Sequence, residues 1–535
     1  MAVLALPAPL TITKERGAIN PWFIALTVTL ATFMELLDTA IANVALPHIS
    51  GGLATSSDEA TWVLTSYLVA NAIILPLSAW LSRVFGRKNY YMGCVAIFTL
   101  SSLFCGLAPN LGTLIFFRVL QGIGGGGLAP VEQAILVDTF PAKKRAAAFA
   151  LYSMAIVTAP AIGPPLGGWI TDSFSWRWVF FINIPIGIVS LFLTHRMVTD
   201  PPEFKREVEM ARKLGKLSID YIGIALVAIG FASLEVVLDR GNLDDWFESH
   251  FIVFFFTVAM VALVVGVIWE LHHDDPVVEL ALLKERNFAL ANCFYFLFGF
   301  TLFGSTVLIP QMLQALYGYT ATDAGLVLGP GAMVIVVMAP LVVRLVKRIP
   351  VAYMIGTGFT ILAFALWTYA SFNLATSYGY EALARAIQGF GLAFLFVPTS
   401  QLAYSYLPKN KNNKASSLTN LSRNQGGSFG IAFVTTMLAR RSQFHQTVLA
   451  SHASNANIGF RASLAATKNY LMAHGYSAPD AATRAMARAY ASVQRQAAIL
   501  SFLDCFWILG VIALTGPVLA IFIRKFNQRG EAPAH

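Results

Sequence analysis

The chain has 535 residues, of which 56% are hydrophobic and 12% charged, and its net charge is +9. Soluble domains carry about twice that density of charge, so together with a mean hydropathy of +0.64 the composition excludes a large water-soluble domain. Such basicity would point to nucleic acid in a soluble protein, but the basic residues here sit in short loops between apolar blocks, which is the mark of membrane topology.

The apolar blocks are about 20 residues long, enough to cross a hydrocarbon core of about 30 Å as helices. The alternating segments of about 10 residues that a membrane barrel requires do not occur. In chain order the predicted spans are 22–47, 60–82, 89–107, 111–137, 146–170, 178–195, 219–238, 250–270, 288–312, 324–343, 351–371, 380–405, 416–439 and 497–523. The first block follows Lys14 and Arg16 but carries Glu35 and Asp38 and has no small-residue cleavage site after it. It reads as a retained helix rather than a signal peptide.

Basic residues occupy every second loop: Arg83, Arg87 and Lys88; Lys143, Lys144 and Arg145; the 196–216 segment; Lys284 and Arg286; Arg344, Lys347 and Arg348; Lys409, Lys411 and Lys414; and Arg524, Lys525 and Arg529. The alternate short loops hold little beyond Arg177 and Arg240. Positive loops stay in the cytoplasm, so both termini are expected there. The long 441–496 loop then lies outside; its Ser477-Ala-Pro-Asp480 stretch reads as the start of a helix leading into the last span.

The chain repeats itself. Arg118-Val-Leu-Gln121-Gly122 returns about 267 residues later as Arg385-Ala-Ile-Gln388-Gly389, and the same offset joins Pro141 to Pro408 and Gly163 to Gly430. Two halves in one orientation form a parallel repeat about an axis along the membrane normal, with the substrate site near the midplane between them. The expected architecture is an all-α membrane protein of 14 transmembrane helices: a tail at 1–21, a six-helix bundle at 22–195, a cytoplasmic linker and two extra central helices at 196–287, a second six-helix bundle at 288–523 with the external loop 441–496, and a tail at 524–535.

Ionisable residues at membrane depth cost at least about 2.5–3.5 kcal/mol each on insertion scales and need a reason to be there. Glu35 and Asp38 share a face of the first helix. Burial favours a neutral Asp38 and a nearby Arg118 favours a charged one, so a contact that breaks as the halves rock would make Asp38 a proton carrier. A static ion pair holding the first bundle together is the alternative. Glu35 either shares the proton or faces a cationic substrate. Glu132, Gln121, Arg423 and Asn424 are candidates for the substrate cavity, Arg423 having the alternative of pairing with a carboxylate. Glu235 and Asp504 read as structural, lying outside the expected core or near span ends.

Other patterns carry less. Pro160, Gly163, Pro164, Pro165, Gly167 and Gly168 crowd the fifth span, where small residues allow close helix approach and prolines bend the helix. The glycines from Gly122 to Gly127 satisfy G-x-G-x-x-G, but no strand precedes them, so a dinucleotide site is rejected. His272-His273-Asp274-Asp275 has no partners at metal-binding spacing and reads as a solvated loop. Cys94, Cys105, Cys293 and Cys505 all fall in apolar segments and read as buried hydrophobes. No catalytic cluster stands at a membrane face, which argues against an enzyme.

Taken as a set, these residues resemble the EmrB-like fourteen-span drug:proton antiporters of the major facilitator superfamily. Glu35-Leu-Leu-Asp38-Thr-Ala-Ile-Ala-Asn43-Val-Ala-Leu-Pro47 resembles that branch's first-helix motif. Arg118 to Gly122 resembles its fourth-helix motif, whose arginine is implicated in proton coupling, and Pro160 to Gly168 its fifth-helix antiporter motif. Phe180-Phe-Ile-Asn183-Ile-Pro185-Ile-Gly187, Leu238-Asp239-Arg240-Gly241 and Tyr317-Gly318-Tyr319-Thr320-Ala321 extend the likeness over nearly the whole chain. The family's gating loop usually reads G-x-x-x-D-x-x-G-R-[KR]; here Arg83 stands in place of the acid, followed by Gly86, Arg87 and Lys88, so the gating contact itself is left open.

The resemblance implies export of lipophilic toxic compounds across a bacterial inner membrane, driven by the proton gradient with no cofactor, with Asp38, Arg118 and Glu35 in proton coupling. It also implies a periplasmic membrane fusion adaptor and an outer-membrane channel as partners, with the 441–496 loop as the place of adaptor contact. A proton-coupled transporter of one specific metabolite, a cation-driven importer and a non-transporting membrane sensor are the alternatives.

Overall fold

The computed structural model describes residues 20–200, 220–273, 276–407, 411–454 and 457–524. Lys14 and Arg16, most of the 196–216 segment, Asp274 and Asp275, Pro408, Lys409 and the chain from Lys525 onward lie outside the described residues. The helices are α1 (Pro21–Leu53), α2 (Trp62–Phe85), α3 (Arg87–Leu107), α4 (Leu111–Thr139), α5 (Ala142–Ser173), α6 (Trp178–Met197), α7 (Tyr221–Arg240), α8 (His250–His272), α9 (Arg286–Tyr317), α10 (Ala321–Leu345), α11 (Val351–Ala370), α12 (Tyr378–Ala403), α13 (Asn412–His452), α14 (Ile458–Ala473) and α15 (Ala478–Ala520). Backbone groups in lipid have to be satisfied internally, and helices do this within a single segment.

Thirteen of these helices are long and apolar enough to cross a membrane among the described residues. The helix covering the expected 416–439 span is α13, and it misses that standard because Asn412, Asn413, Ser416, Ser417, Thr419, Asn420, Arg423 and Gln425 are all buried in it. Its polar face meets protein instead of lipid. With 41 residues it is about 60 Å long at 1.5 Å per residue, roughly twice the hydrocarbon thickness. It is therefore longer than a single crossing needs, and toward its far end Arg441 Nε and His445 Nε2 lie 2.5 and 2.7 Å from Asp504 Oδ2 of α15. The expected external loop is thus helical: α13 runs on, α14 turns back, and α15 begins at Ser477, whose side chain caps the Asp480 amide. Leu464, Leu471, Ala481 and Ala485 make a small core there.

The two extra helices are not equivalent. α7 packs against α2 and α13, at the junction of the halves, while α8 leans mainly on α7 and exposes Phe254, Val261, Val264 and Ile268. The Gly/Pro run of α5 packs two ways. A methyl group at Gly163 would come 2.4 Å from Ala40 Cβ of α1, and Pro165 presses so closely on Gly325 of α10 that no side chain fits there. The run is the seam that joins α5 to its own bundle and to the opposite one. Of the cysteines, Cys94, Cys105 and Cys505 are buried as expected, but Cys293 is exposed on α9.

Gly163→Val should force α5 away from α1, since overpacking of this kind costs about 1–3 kcal/mol. Thermal unfolding of the purified variant is expected at a lower temperature than wild type, whereas Gly51→Ala, where nothing lies within 4 Å of the added methyl, should leave it unchanged.

Candidate functional site between the two halves

Asp38 and Arg118 form an ion pair with no exposure of either side chain, Arg118 Nη1 donating to Asp38 Oδ2 at 2.7 Å. α1 and α4 bring the two charges together, and polar neighbours engage every polar atom of the pair except Arg118 Nη2. Gln121 Nε2 and Asn183 Nδ2 donate to Asp38 Oδ1 at 3.0 and 2.6 Å. Arg118 also donates through Nε to the Val63 carbonyl at 2.9 Å and through Nη1 to Gln121 Oε1 at 2.7 Å. Its guanidinium lies 4.4 Å from the centre of the Tyr67 ring. The helices approach closely because residue 122 is glycine: a side chain there would strike the Tyr67 carbonyl.

The repeat is asymmetric at this point. In the second half Arg385 Nη1 donates to Gln388 Oε1 at 2.6 Å and Gln388 Nε2 to Ser305 Oγ at 2.8 Å. Ser305 occupies the place that the repeat offset of about 267 residues assigns to Asp38. Only the first copy holds a carboxylate, and among the described residues Arg385 forms no ion pair.

A cavity of about 770 Å³ opens beside the pair. Its walls come from α1, α2, α4 and α5 on one side, α9 and α13 on the other, and α7 between them. The lining runs from Glu35 to Pro47 on α1 and from Phe303 to Ala315 on α9, which is the part of each helix away from the basic loops. Pro160 and Pro164 also line it. Glu35 sits on the wall, its Oε1 accepting from the Tyr67 hydroxyl at 2.9 Å and from Asn71 Nδ2 at 3.3 Å.

Of the four residues expected in the substrate cavity, Asn424 lines it and the other three do not. Gln121 is consumed by the ion pair. Glu132 is fully buried with Thr29 donating to its Oε1 at 2.5 Å. Arg423 turns toward the first half, where Nη1 meets the Tyr152 hydroxyl at 3.0 Å. Conversely, Glu235 and Asp239 of α7 line the cavity, although Glu235 was expected outside the core. Helix count alone placed α7 between the bundles without saying that it reaches the cavity; the signal available was the second carboxylate, four residues on at the same face.

The end of the molecule bearing the basic loops is closed. Asp138 of α4 accepts from Arg87 and, across the halves, from Asn412 Nδ2 at 3.0 Å. Asn413 Nδ2 donates to Ser82 Oγ at 3.2 Å, and Ser417 Oγ donates to the Leu75 carbonyl at 2.8 Å. The contact left open by Arg83 is therefore supplied by Asp138 and the polar start of α13. Gly86, at φ +83°, makes the turn that points Arg87 inward, and Lys88 is tied to Asp200 and to the His195 carbonyl. Arg83 itself stands half-buried at the end of α2. Lys411 and Lys414 add a tie to Glu279. Burial would raise the pKa of Glu279, but the two lysines outweigh it and hold the carboxyl below its ordinary value. This tie is complete at neutral pH and is lost as the pH falls through the acidic range.

A bundle of two repeated halves with a cavity between them, a buried charge pair at its wall and a polar lock at one end defines a transporter. The profile of the Major Facilitator Superfamily matches residues 28–431, and the chain belongs to that family. Among curated proteins it is similar to the multidrug export protein EmrB of Escherichia coli K12, 40% identical over 423 residues that make up 79% of this chain and 81% of that one. It is also 38% identical to EmrB of Haemophilus influenzae over 81% of this chain and 84% of that protein, and 37% identical to the fatty acid resistance protein FarB of Neisseria gonorrhoeae over 82% and 84%. Among solved structures, the proton:xylose symporter XylE aligns with a TM-score of 0.58 over 93% of this chain and 94% of that one at 15% identity, which is likeness of fold alone. The chain is an EmrB-like transporter, not an enzyme.

Removing the Asp138 carboxylate should loosen the closed end. In an Asp138→Ala background, a cysteine at position 417 is expected to react with a membrane-impermeant maleimide several-fold faster than in the parent; an equal rate would show that Asp138 is not part of the lock.

Proposed function

We propose that the protein exports lipophilic toxic compounds across the inner membrane of a bacterium in exchange for protons, with Asp38 as the proton carrier. The observation behind this reading is the Asp38–Arg118 pair, unexposed yet adjoining the cavity, since Arg118 belongs to both. A buried ion pair contributes little net stability, but losing one partner is strongly unfavourable. If rocking of the halves draws Arg118 away, the stranded carboxylate is relieved by taking a proton. A proton moving down about 100 mV releases about 2.3 kcal/mol, and discharge on re-forming the pair completes the cycle. The names of the similar proteins, as export and resistance proteins, support outward transport.

The distribution of basic loops supports cytoplasmic termini, so the closed end faces the cytoplasm and the cavity faces outward in this conformation. The helices α13 to α15 then project into the periplasm. We assign to them the contact with a membrane fusion adaptor leading to an outer-membrane channel. Replacing α14 by a short Gly/Ser loop is expected to leave drug-driven proton release in vesicles intact while abolishing resistance in whole cells; loss of both, or of neither, would contradict that role.

Drug-induced proton release from inside-out vesicles tests the main reading. Wild type should alkalinise an acidified lumen when lipophilic drugs are added, and Asp38→Asn should not. Because Asp38→Asn leaves Arg118 buried without its counter-charge at a cost of about 3–5 kcal/mol, the double variant Asp38→Asn/Arg118→Gln is measured beside it. It should regain thermal stability and still release no protons. Proton release that survives in either variant would move the proton site away from Asp38.

A further inference from the structure

Glu235 is a buried carboxylate that the proton cycle leaves unused. It stands on α7, is 3% exposed, and lines the cavity wall. One oxygen, Oε1, accepts from Ser428 Oγ at 2.7 Å, while Oε2 has no hydrogen-bond partner. Gln425, beside it on α13, also lines the cavity, and its Oε1 is likewise buried without a donor. Asp239, the other acid of α7 on this wall, is engaged by Thr65, and Arg118 is held by Asp38. What remains at this corner is acceptor capacity with negative charge, faced by the Ser428 hydroxyl and the Gln425 side chain and by no cation among the described residues.

A carboxylate removed from water without a partner is costly unless a cation or a proton arrives. An ionised carboxylate only accepts hydrogen bonds, as does an amide oxygen, so the complementary group is a cation that carries N–H donors. We infer that Glu235, with Gln425 beside it, recognises the head of amphipathic protonated amines, whose apolar tail occupies the cavity lined by Leu36, Val44, Leu68 and Phe303. The assignment deepens the export reading and rests on it for the route the amine takes. It gives α7 a task of its own: it brings to the cavity a specificity residue that neither six-helix bundle supplies.

Dodecylamine and dodecanol share a tail and differ in head charge, and dodecyltrimethylammonium keeps the charge but lacks N–H donors. Equilibrium binding of the three to purified full-length protein in nanodiscs, corrected against empty nanodiscs, tests the assignment. Wild type should prefer dodecylamine to both others. Glu235→Gln should weaken dodecylamine about tenfold or more, in line with a lost charge-assisted hydrogen bond, and shift dodecanol less than twofold, while Glu235→Asp should keep the preference. Equal affinity of wild type for dodecylamine and dodecanol would overturn the proposal, as would a Glu235→Gln variant that loses both ligands alike. Binding is read without a proton gradient, which separates this result from the export reading: the preference for dodecylamine and its loss in Glu235→Gln should appear whether or not wild type releases protons on drug addition.

Discussion

The structure is organised around one electrostatic contact, the pair between Asp38 and Arg118. Placing two charges at membrane depth is tolerable because each finds its opposite and because Gln121, Asn183 and the Val63 carbonyl take up most of the remaining hydrogen-bonding capacity. The glycine at 122, the burial of Tyr67 and the close approach of α1, α2 and α4 all serve that site. The second half keeps the arginine and the glutamine but replaces the acid with Ser305. The repeat supplies a symmetric scaffold, and the carboxylate stands in only one half of it.

Around the pair, the molecule divides its polar residues between two tasks. At the basic end, Asp138, Asn412, Asn413 and Ser417 bond across the halves and close the path. These are neutral or mixed contacts, individually worth about 0.5–1.5 kcal/mol, strong enough together to hold one state and weak enough to exchange. At the other end, the Gly/Pro seam of α5 lets Pro165 press on Gly325 while Pro160 and Pro164 face the cavity. A hydrogen-bonded lock on one side and a packed seam on the other suit a pair of rigid halves that rock about a fixed site.

Much of this was legible in the sequence. Apolar blocks of membrane length, alternating basic loops and the Arg-x-x-Gln-Gly repeat pointed to the helices and the two halves, and the buried acids on one face of α1 pointed to the site. The structure brings Asp38 and Arg118 together and puts Glu35 on the cavity wall. Elsewhere the sequence misled for physical reasons. α13 reads as an ordinary span with a long loop, yet it is one helix of 41 residues whose polar face is hidden by α2 and α4. Glu132 and Arg423 look like cavity residues because they are charged and central, but their partners Thr29 and Tyr152 turn them into the protein. Glu235 was missed because α7 is counted outside the two six-helix bundles, and only packing shows that it reaches the cavity between them.

Infrared difference spectroscopy of the purified protein reports carboxyl protonation directly. Adding a transported drug at neutral pH should change the intensity of a protonated-carboxyl band in wild type, and that band should be absent in Asp38→Asn and insensitive to drug in Arg118→Gln. A drug-dependent band that persists unaltered in Asp38→Asn would contradict the claim that this ion pair is the switch coupling proton and substrate.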